Sequence, residues 1–228
     1  SETLPLNIIK NESKKLTKGE KELLNKIKLL YKNYQDEAYL YVQPTISKLV
    51  PDFILIDENR GISILEVKDW SLSYIKDIDK RRVVLADRED DNPLSKTKQY
   101  YDICKGIISN NDKIYYLTDI IYGNTVLTNI SNEDLEIDSG LDERTIRRYL
   151  NGENKVPDKK TVIALCRGLR LPIQICDMLM KLAGHTLNTN TKQDDAYFAI
   201  LTGMMMWTPR QVNQYLVETG FEPLTKEK

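Results

Sequence analysis

Histidine is almost missing from this 228-residue chain: His185 stands alone, too little imidazole for an ordinary zinc site. It reads as a loop residue after a helix-ending Gly184. Cysteine is also sparse. Cys104, Cys166 and Cys176 form an odd set without C-x-x-C spacing, which suits a reducing, cytoplasmic setting. No apolar run approaches the ~20 residues of a membrane span, and Ser1-Glu-Thr-Leu-Pro does not read as a signal peptide. There is no internal repeat and no G-x-x-x-x-G-K-[ST], so the chain carries no P-loop motor. An excess of one charge is missing too: 33 Lys and Arg against 34 Asp and Glu leave −1. Any pull on nucleic acid must come from local patches.

What the chain does have is a pair of apolar arms. Leu49-Val-Pro-Asp-Phe-Ile-Leu-Ile-Asp57 leads through Asn59-Arg60-Gly61 into Ile62-Ser-Ile-Leu-Glu-Val-Lys-Asp-Trp70, which predicts a β-hairpin. Glu66 and Lys68 are two apart and share one sheet face, with Leu65 and Val67 on the other. With Glu58 to Arg60 as the turn, facing positions sum to 118 and Asp52 lies opposite Glu66. A one-residue slip would send Asp52 to the far face. In the first register two carboxylates and an amine converge at the end of the hairpin. Two carboxylates offer hard oxygen ligands for Mg²⁺ or Mn²⁺ and leave room for water and a phosphate oxygen. Such a metal lowers the pKa of bound water and neutralises a scissile phosphate, while Lys68 can hold the nucleophile or the transition-state charge. The plain alternative is an exposed salt-bridged trio, but polar groups inside apolar arms need a reason.

Pro51-Asp52 with Glu66-Val67-Lys68 resembles the PD-(D/E)xK nuclease motif. With Lys18-Gly19-Glu20-Lys21, the run Leu65 to Trp70, and Asn92-Pro93 followed by Gln99, residues 15 to 130 resemble the nuclease-related domain, NERD, in the version at the front of some bacterial helicases. The resemblance implies an α/β restriction-endonuclease-like core, a mixed sheet flanked by helices, that hydrolyses DNA phosphodiesters in prokaryotic DNA processing or defence. It implies catalytic roles for Asp52, Glu66 and Lys68, accessory roles for Glu20 and Gln99, and Mg²⁺ or Mn²⁺ at Asp52, Glu66 and Val67. Nuclease folds also persist without activity. A silent fold in a DNA-binding regulator or adaptor, or a nuclease subunit docked to a partner ATPase or helicase, stays open.

Along this first domain, 1–130, residues 1–15 read as a polar lead-in. The spacing of Leu23, Ile27, Leu30, Tyr31 and Tyr34 predicts a helix from Gly19 to Tyr34. Glu20 falls on its buried side, as a cap of the first turn or reaching into a site; spacing leaves both open, and the resemblance favours the second. Tyr39 to Gln43 reads as a strand stopped by Pro44, and Ser73–Asp77 and Arg82–Leu85 as further strands. Asp87 to Asp91 reads as a solvated acidic loop. Pro93 opens a helix to about Ile108, and Tyr115–Leu117 and Thr125–Leu127 read as last strands. Lys96, Lys98 and Gln99 lie on adjacent turns where they could approach a DNA backbone, but the two lysines read first as an ordinary wet helix face.

Past residue 130 the pattern turns helical. Ser131–Asp138 is followed by a Ser139-Gly140-Leu141 turn, an Asp142-capped helix to Leu150 stopped by Asn151-Gly152, and an Asp158-capped helix burying Val162, Leu165, Cys166 and Leu169. Pro172 starts a helix to Gly184, Asp195 to about Met206 forms another, and Thr208-Pro209 opens the last. Met204-Met-Met-Trp207 reads as core filler beside a helix end rather than a partner surface.

Ser139 to Gly152, with Ile163-Ala-Leu-Cys and Gly168-Leu-Arg-Leu-Pro172, resembles the XRE, or Cro/repressor-like, helix-turn-helix family. The resemblance implies an all-α second domain, 131–228, that reads DNA through 142–150, with Arg144, Thr145, Arg147, Arg148 and Asn151 reaching phosphates or base edges. From Asp142 to Arg170 eight basic residues face four acidic ones, a local footprint that the whole chain lacks. Two features depart from that family. Its usual first helix is missing before Ser131, and Asp142 and Glu143 put negative charge at the end that enters the groove. Protein docking by this domain therefore stays open, as does a homodimer.

Overall fold

The computed structural model describes residues 6–11, 14–32, 34, 37–57, 59, 61–110, 121–153, 156–187, 190–203 and 207–226. The chain divides into two compact units, residues 1–129 and 130–228.

The first unit runs β1 (Leu6–Lys10), α1 (Lys18–Tyr31), β2 (Ala38–Val42), β3 (Phe53–Asp57), β4 (Gly61–Lys68), a 3₁₀ turn at Leu72–Tyr74, β5 (Ile75–Ile78), β6 (Arg82–Leu85), β7 (Glu89–Asp91), α2 (Pro93–Ser109) and β8 (Ile121–Leu127). Its main sheet has the order β1-β2-β3-β4-β8. The β2–β3 and β3–β4 pairs are antiparallel, while β1 and β8 lie parallel to their neighbours at the two edges. A parallel β4–β8 pair needs a crossover, and α2, packed on both strands, lies within it. β4 is buried from Gly61 through Val67, as a strand covered on both faces should be. Ile54, Ile62 and Ile64 pack with Tyr100 of α2 on one face.

The hairpin register is the one the turn predicts. Phe53 faces Leu65, and each pair down to Asp57 and Gly61 sums to 118. The turn residues Glu58 and Arg60 lie outside the described residues.

Several elements differ from the sequence reading. Residues 6–10, taken for lead-in, form edge strand β1, because Leu6 and its neighbours find hydrogen-bond partners along β2. α1 stops at Tyr31 rather than Tyr34, and the segment from Ser73 begins as a 3₁₀ turn before β5. The acidic loop is partly strand: β7 pairs with β6, with an Arg82–Glu89 ion pair at 2.9 Å across it. β5, β6 and β7 make a separate three-stranded sheet between β4 and α2. β8 begins four residues before Thr125, and the strand expected at 115–117 lies outside the described residues.

α1 is fixed to the ends of β4 and β8 by a close approach. Gly19 N–H donates to Asp69 at 3.4 Å, and the Thr128 hydroxyl donates to the other Asp69 oxygen at 2.6 Å. A Cβ on Gly19 would lie 1.8 Å from Asp69 Oδ1, so any larger residue breaks this clamp.

The second unit is α3 (Asn132–Ser139), α4 (Glu143–Leu150), α5 (Lys159–Gly168), α6 (Ile173–Leu182), α7 (Lys192–Gly203) and α8 (Pro209–Glu218). Ser131, Asp142, Asp158 and Thr208 cap four of them through side-chain oxygens. No helix lies between β8 and α3; α8 packs against α3 instead. α7 starts at Lys192, earlier than Asp195, and Met204 to Met206 lie outside the described residues. Trp207 packs edge-on against Tyr215. Among the described residues no helix is long and apolar enough to cross a membrane.

Arg167 holds this unit together from inside. It is 1% exposed and donates to the carbonyls of Asp138, at the end of α3, and Trp207, just before α8. Arg167→Ala strands both carbonyls and should destabilise the second unit by ~3 kcal/mol. Thermal unfolding followed by circular dichroism checks this; a melting temperature unchanged from that of the parent would refute it.

Candidate active site

Asp52 sits in the bend just ahead of β3, beyond the last strand pair. Its Oδ2 accepts the backbone N–H of Val67 at 2.7 Å, so the carboxylate takes the place of a ladder partner. Glu66 is 1% exposed. Its Oε1 pairs with Lys68 at 3.2 Å and with Lys96 of α2 at 2.7 Å. Its Oε2 is buried and has no hydrogen-bond partner among the described residues. Lys68 also lies 5.5 Å from the ring centre of Trp70.

Glu20 plays both of the roles that its spacing left open. Its Oε2 accepts the Thr17 N–H at 3.1 Å, closing a capping box, and accepts Gln43 Nε2 at 3.2 Å. Gln43 follows β2 with φ +50°, a left-handed conformation costly for a non-glycine residue. Its own N–H donates to the Asp52 carbonyl at 2.8 Å. Backbone and side chain of one strained residue thus link Asp52 to Glu20.

The electrostatics follow from this crowding. Burial raises the Asp52 pKa to about 6; the Val67 N–H opposes the rise, and the Glu66 and Glu20 carboxylates add to it. Burial also works against the Lys96 ammonium, but the hydrogen bond and charge of Glu66 more than offset it and hold its pKa high. A divalent cation fits this donor set: hard oxygens, one of them orphaned, in a pocket where ionisation of Asp52 is opposed. Among the described residues no group of three or more His, Cys, Asp or Glu side chains is placed to hold a metal ion; a cation here would have Asp52 and Glu66 as its carboxylate ligands and would need water or substrate for the rest.

Residues 15–128, half of the chain, match the nuclease-related domain. The chain belongs to the nuclease-related domain family. Neither curated proteins nor solved structures gave a match.

The nuclease-related domain thus brings together Asp52, Glu66, Lys68 and Glu20. Val67 contributes a backbone N–H already given to Asp52. Gln99 is exposed, one turn beyond Lys96 on α2. Lys96 corrects the wet-face reading: its ammonium is on Glu66. The signal was its i, i+4 relation to Tyr100, a buried residue of the α2–sheet core. Gln43 gave no comparable signal. Thr125 faces Glu66 in the β4–β8 register, with a buried hydroxyl that lacks a partner among the described residues.

In the second unit Arg144, Arg147, Arg148 and Asn151 line a shallow depression of about 340 Å³ with Glu143 and Glu153. Thr145 is not among them; its N–H and hydroxyl both bond the Asp142 carboxylate. Arg147 is paired with Glu143 at 2.6 Å. Much of the basic excess read from sequence is buried or already paired. Arg167 is buried, Arg170 pairs with Asp138, Lys159 with Asp194 and Lys160 with Glu222, while Lys155 lies outside the described residues. His185 is the loop residue expected, its Nε2 2.9 Å from the Pro157 carbonyl.

Asp52 gives a pH test. An unfolded aspartate ionises near 3.8, whereas folded Asp52 keeps its proton up to about 6. Between these values the folded state holds the extra proton, so metal-free stability falls as pH rises through the window. At pH 7 Asp52→Asn should stabilise the metal-free chain by ~1–2 kcal/mol, after discount for partial exposure. Mg²⁺ or Mn²⁺ should then raise the melting temperature of the parent and not of the variant. Equal melting temperatures with and without metal in both chains would defeat the prediction.

Proposed function

We propose that the first unit is a metal-dependent nuclease of the PD-(D/E)xK type that hydrolyses DNA phosphodiesters, and that the second is an XRE-like helix-turn-helix domain that holds it to its substrate. The orphaned Glu66 Oε2 carries the reading. A buried carboxylate oxygen without a partner is costly, and a cation held by Asp52 and Glu66 removes that cost. When bound, Mg²⁺ or Mn²⁺ supplies activation of water and neutralisation of phosphate charge. The protein groups do the rest. Lys96 and Lys68 together fix Glu66 by its other oxygen, and Lys68, half-buried at the end of β4, can donate to a phosphate oxygen or orient the water. The water oxygen bonds to phosphorus, the bond to the leaving sugar oxygen breaks, and a proton passes from the water to the bulk while the leaving oxygen takes one up. Three free thiols accord with a cytoplasmic setting.

Asp52→Ala and Glu66→Ala should each lower Mg²⁺-dependent cleavage by ~10³-fold or more, a barrier change of about 4 kcal/mol, with the fold kept. Lys68→Ala should cost ~10²-fold. Cleavage that survives in a folded Asp52 or Glu66 variant sinks the assignment.

A silent nuclease fold is the second reading, and one observation favours it: two ammonium groups on one Glu66 oxygen supply positive charge that a metal would otherwise bring. On that reading the parent neither cleaves nor gains stability from Mg²⁺, and Lys96→Ala opens the site to the metal, seen as a new Mg²⁺-dependent rise in melting temperature.

For the second unit, a three-residue connection between α3 and α4 and the exposed Arg144 and Arg148 support DNA contact, while the Glu143–Arg147 pair weakens deep groove insertion. Removing Arg144 and Arg148 from the full chain should reduce duplex affinity and flatten the salt dependence by about one unit of slope per lost phosphate contact. An unchanged affinity and slope, with capture of a helicase or ATPase through the same arginines, assigns α4 to protein docking instead.

A further inference from the structure

The small sheet β5-β6-β7 is rooted at the site on both sides. It leaves β4 through Trp70 and returns at Asn92, the residue before α2. Asn92 is buried, and its role is to clasp the β5–β6 turn. Its Nδ2 donates to the Asp79 carbonyl at 2.6 Å and its backbone N–H to the Arg81 carbonyl at 2.9 Å. Asp79 shapes the turn further by accepting the N–H groups of Arg81 and Arg82, each at 2.7 Å. The turn carrying Lys80 and Arg81 is therefore held at the start of the helix whose next turn carries Lys96, the ammonium on Glu66.

The charges on this insert are unevenly used. Between Ile75 and Asp91 five basic residues meet six acidic ones, so it is no general basic patch. Lys76 donates to the Ser73 carbonyl, Arg82 pairs with Glu89 and Asp79, and Arg88 pairs with Asp87 and reaches the Tyr74 hydroxyl. Lys80 and Arg81 are exposed, and their side chains have no partner among the described residues. A turn held in place by these bonds that presents two unpaired cations near Asp52 and Glu66 suits a phosphate ligand.

We propose that Lys80 and Arg81 bind the phosphate backbone of the nucleic acid next to the cleaved bond. This rests on the nuclease reading of the Asp52–Glu66 site. From Asn92 to Lys96 is one helical turn, ~5.4 Å, and a strand carries a phosphate about every 3.4 Å of duplex axis. With side-chain reach included, the contacted phosphates lie roughly one to three nucleotides from the reacting one. The contact is sequence-independent and adds affinity and register rather than base choice.

The test uses the full chain carrying Arg144→Ala and Arg148→Ala, so that α4 does not mask the result, with and without Lys80→Glu/Arg81→Glu. Binding of a labelled DNA duplex is measured by fluorescence anisotropy in EDTA across salt concentrations, and Mg²⁺-dependent cleavage is measured on the same preparations. The double reversal should weaken binding at least tenfold at low salt and flatten the slope by about two units, leaving kcat at saturating duplex within about twofold, as expected of a uniform binding contact. Lys80→Gln/Arg81→Gln should give a smaller loss in the same direction, and Lys76→Glu should give none. Unchanged binding and slope, or no binding by the parent, overturns the inference whether or not the chain cleaves. Weakened binding in chains whose parent does not cleave keeps the phosphate contact and overturns only the nuclease reading.

Discussion

The Val67 N–H at the end of the hairpin donates to no β3 carbonyl, because the position that faces it, Pro51, lies two residues ahead of the start of β3. The Asp52 carboxylate takes that place. A strand-end N–H buried without a partner is costly, so this bond both ends the ladder properly and pins a carboxylate to the strand bearing Glu66. The pairing that sums to 118 is what makes it available. A one-residue slip would move Asp52 to the opposite face and expose the apolar face of β3. Register, burial and the meeting of two carboxylates are thus one constraint.

The electrostatic consequences spread outward from it. Three carboxylates, from Asp52, Glu66 and Glu20, are drawn together with two ammonium groups, and both ammonium groups go to the same oxygen of Glu66. Asp52 is left with a backbone N–H as its main compensation, which does not offset burial. The surrounding structure supports this unfavourable balance. The Gly19–Asp69–Thr128 clamp fixes the first turn of α1, which lets Glu20 meet Gln43, and Gln43 is held in a strained conformation that also bonds the Asp52 backbone. Backbone strain and crowded like charge cluster at functional sites more often than in a merely structural core.

The hairpin and its register were legible because turn length and two apolar runs decide them locally. Helix caps at Asp142, Asp158 and Thr208 were legible for the same reason. Lys96 was not, since its partner Glu66 is 30 residues away and only the parallel β4–β8 crossover brings α2 over it. β1 is not legible in sequence because an edge strand is defined by the neighbour it finds rather than by its own alternation. β7 was hidden by its acidic side chains, which point outward from a ladder made by the backbone. In the second unit the helices were readable, but the fates of their charges were not: Arg167 looks like a surface residue in sequence and lies inside, and Arg170 is half-buried against Asp138.

That last point limits what charge counting can say about nucleic acid. A guanidinium buried against backbone carbonyls, or an ammonium paired with a carboxylate, contributes little field to an approaching phosphate, because its counter-charge or its desolvation has already been met internally. What steers and holds a polyanion is the uncompensated remainder presented on a rigid element. In a chain whose total is −1, that remainder is small and local. The turn at Lys80 and Arg81 and the α4 positions Arg144 and Arg148 belong to it, whereas most of the basic excess counted from 142 to 170 does not. A near-neutral protein can therefore engage DNA through a few cations that its fold leaves unpaired, and such contacts should be modest in affinity, with a salt slope of about one unit for each phosphate they meet.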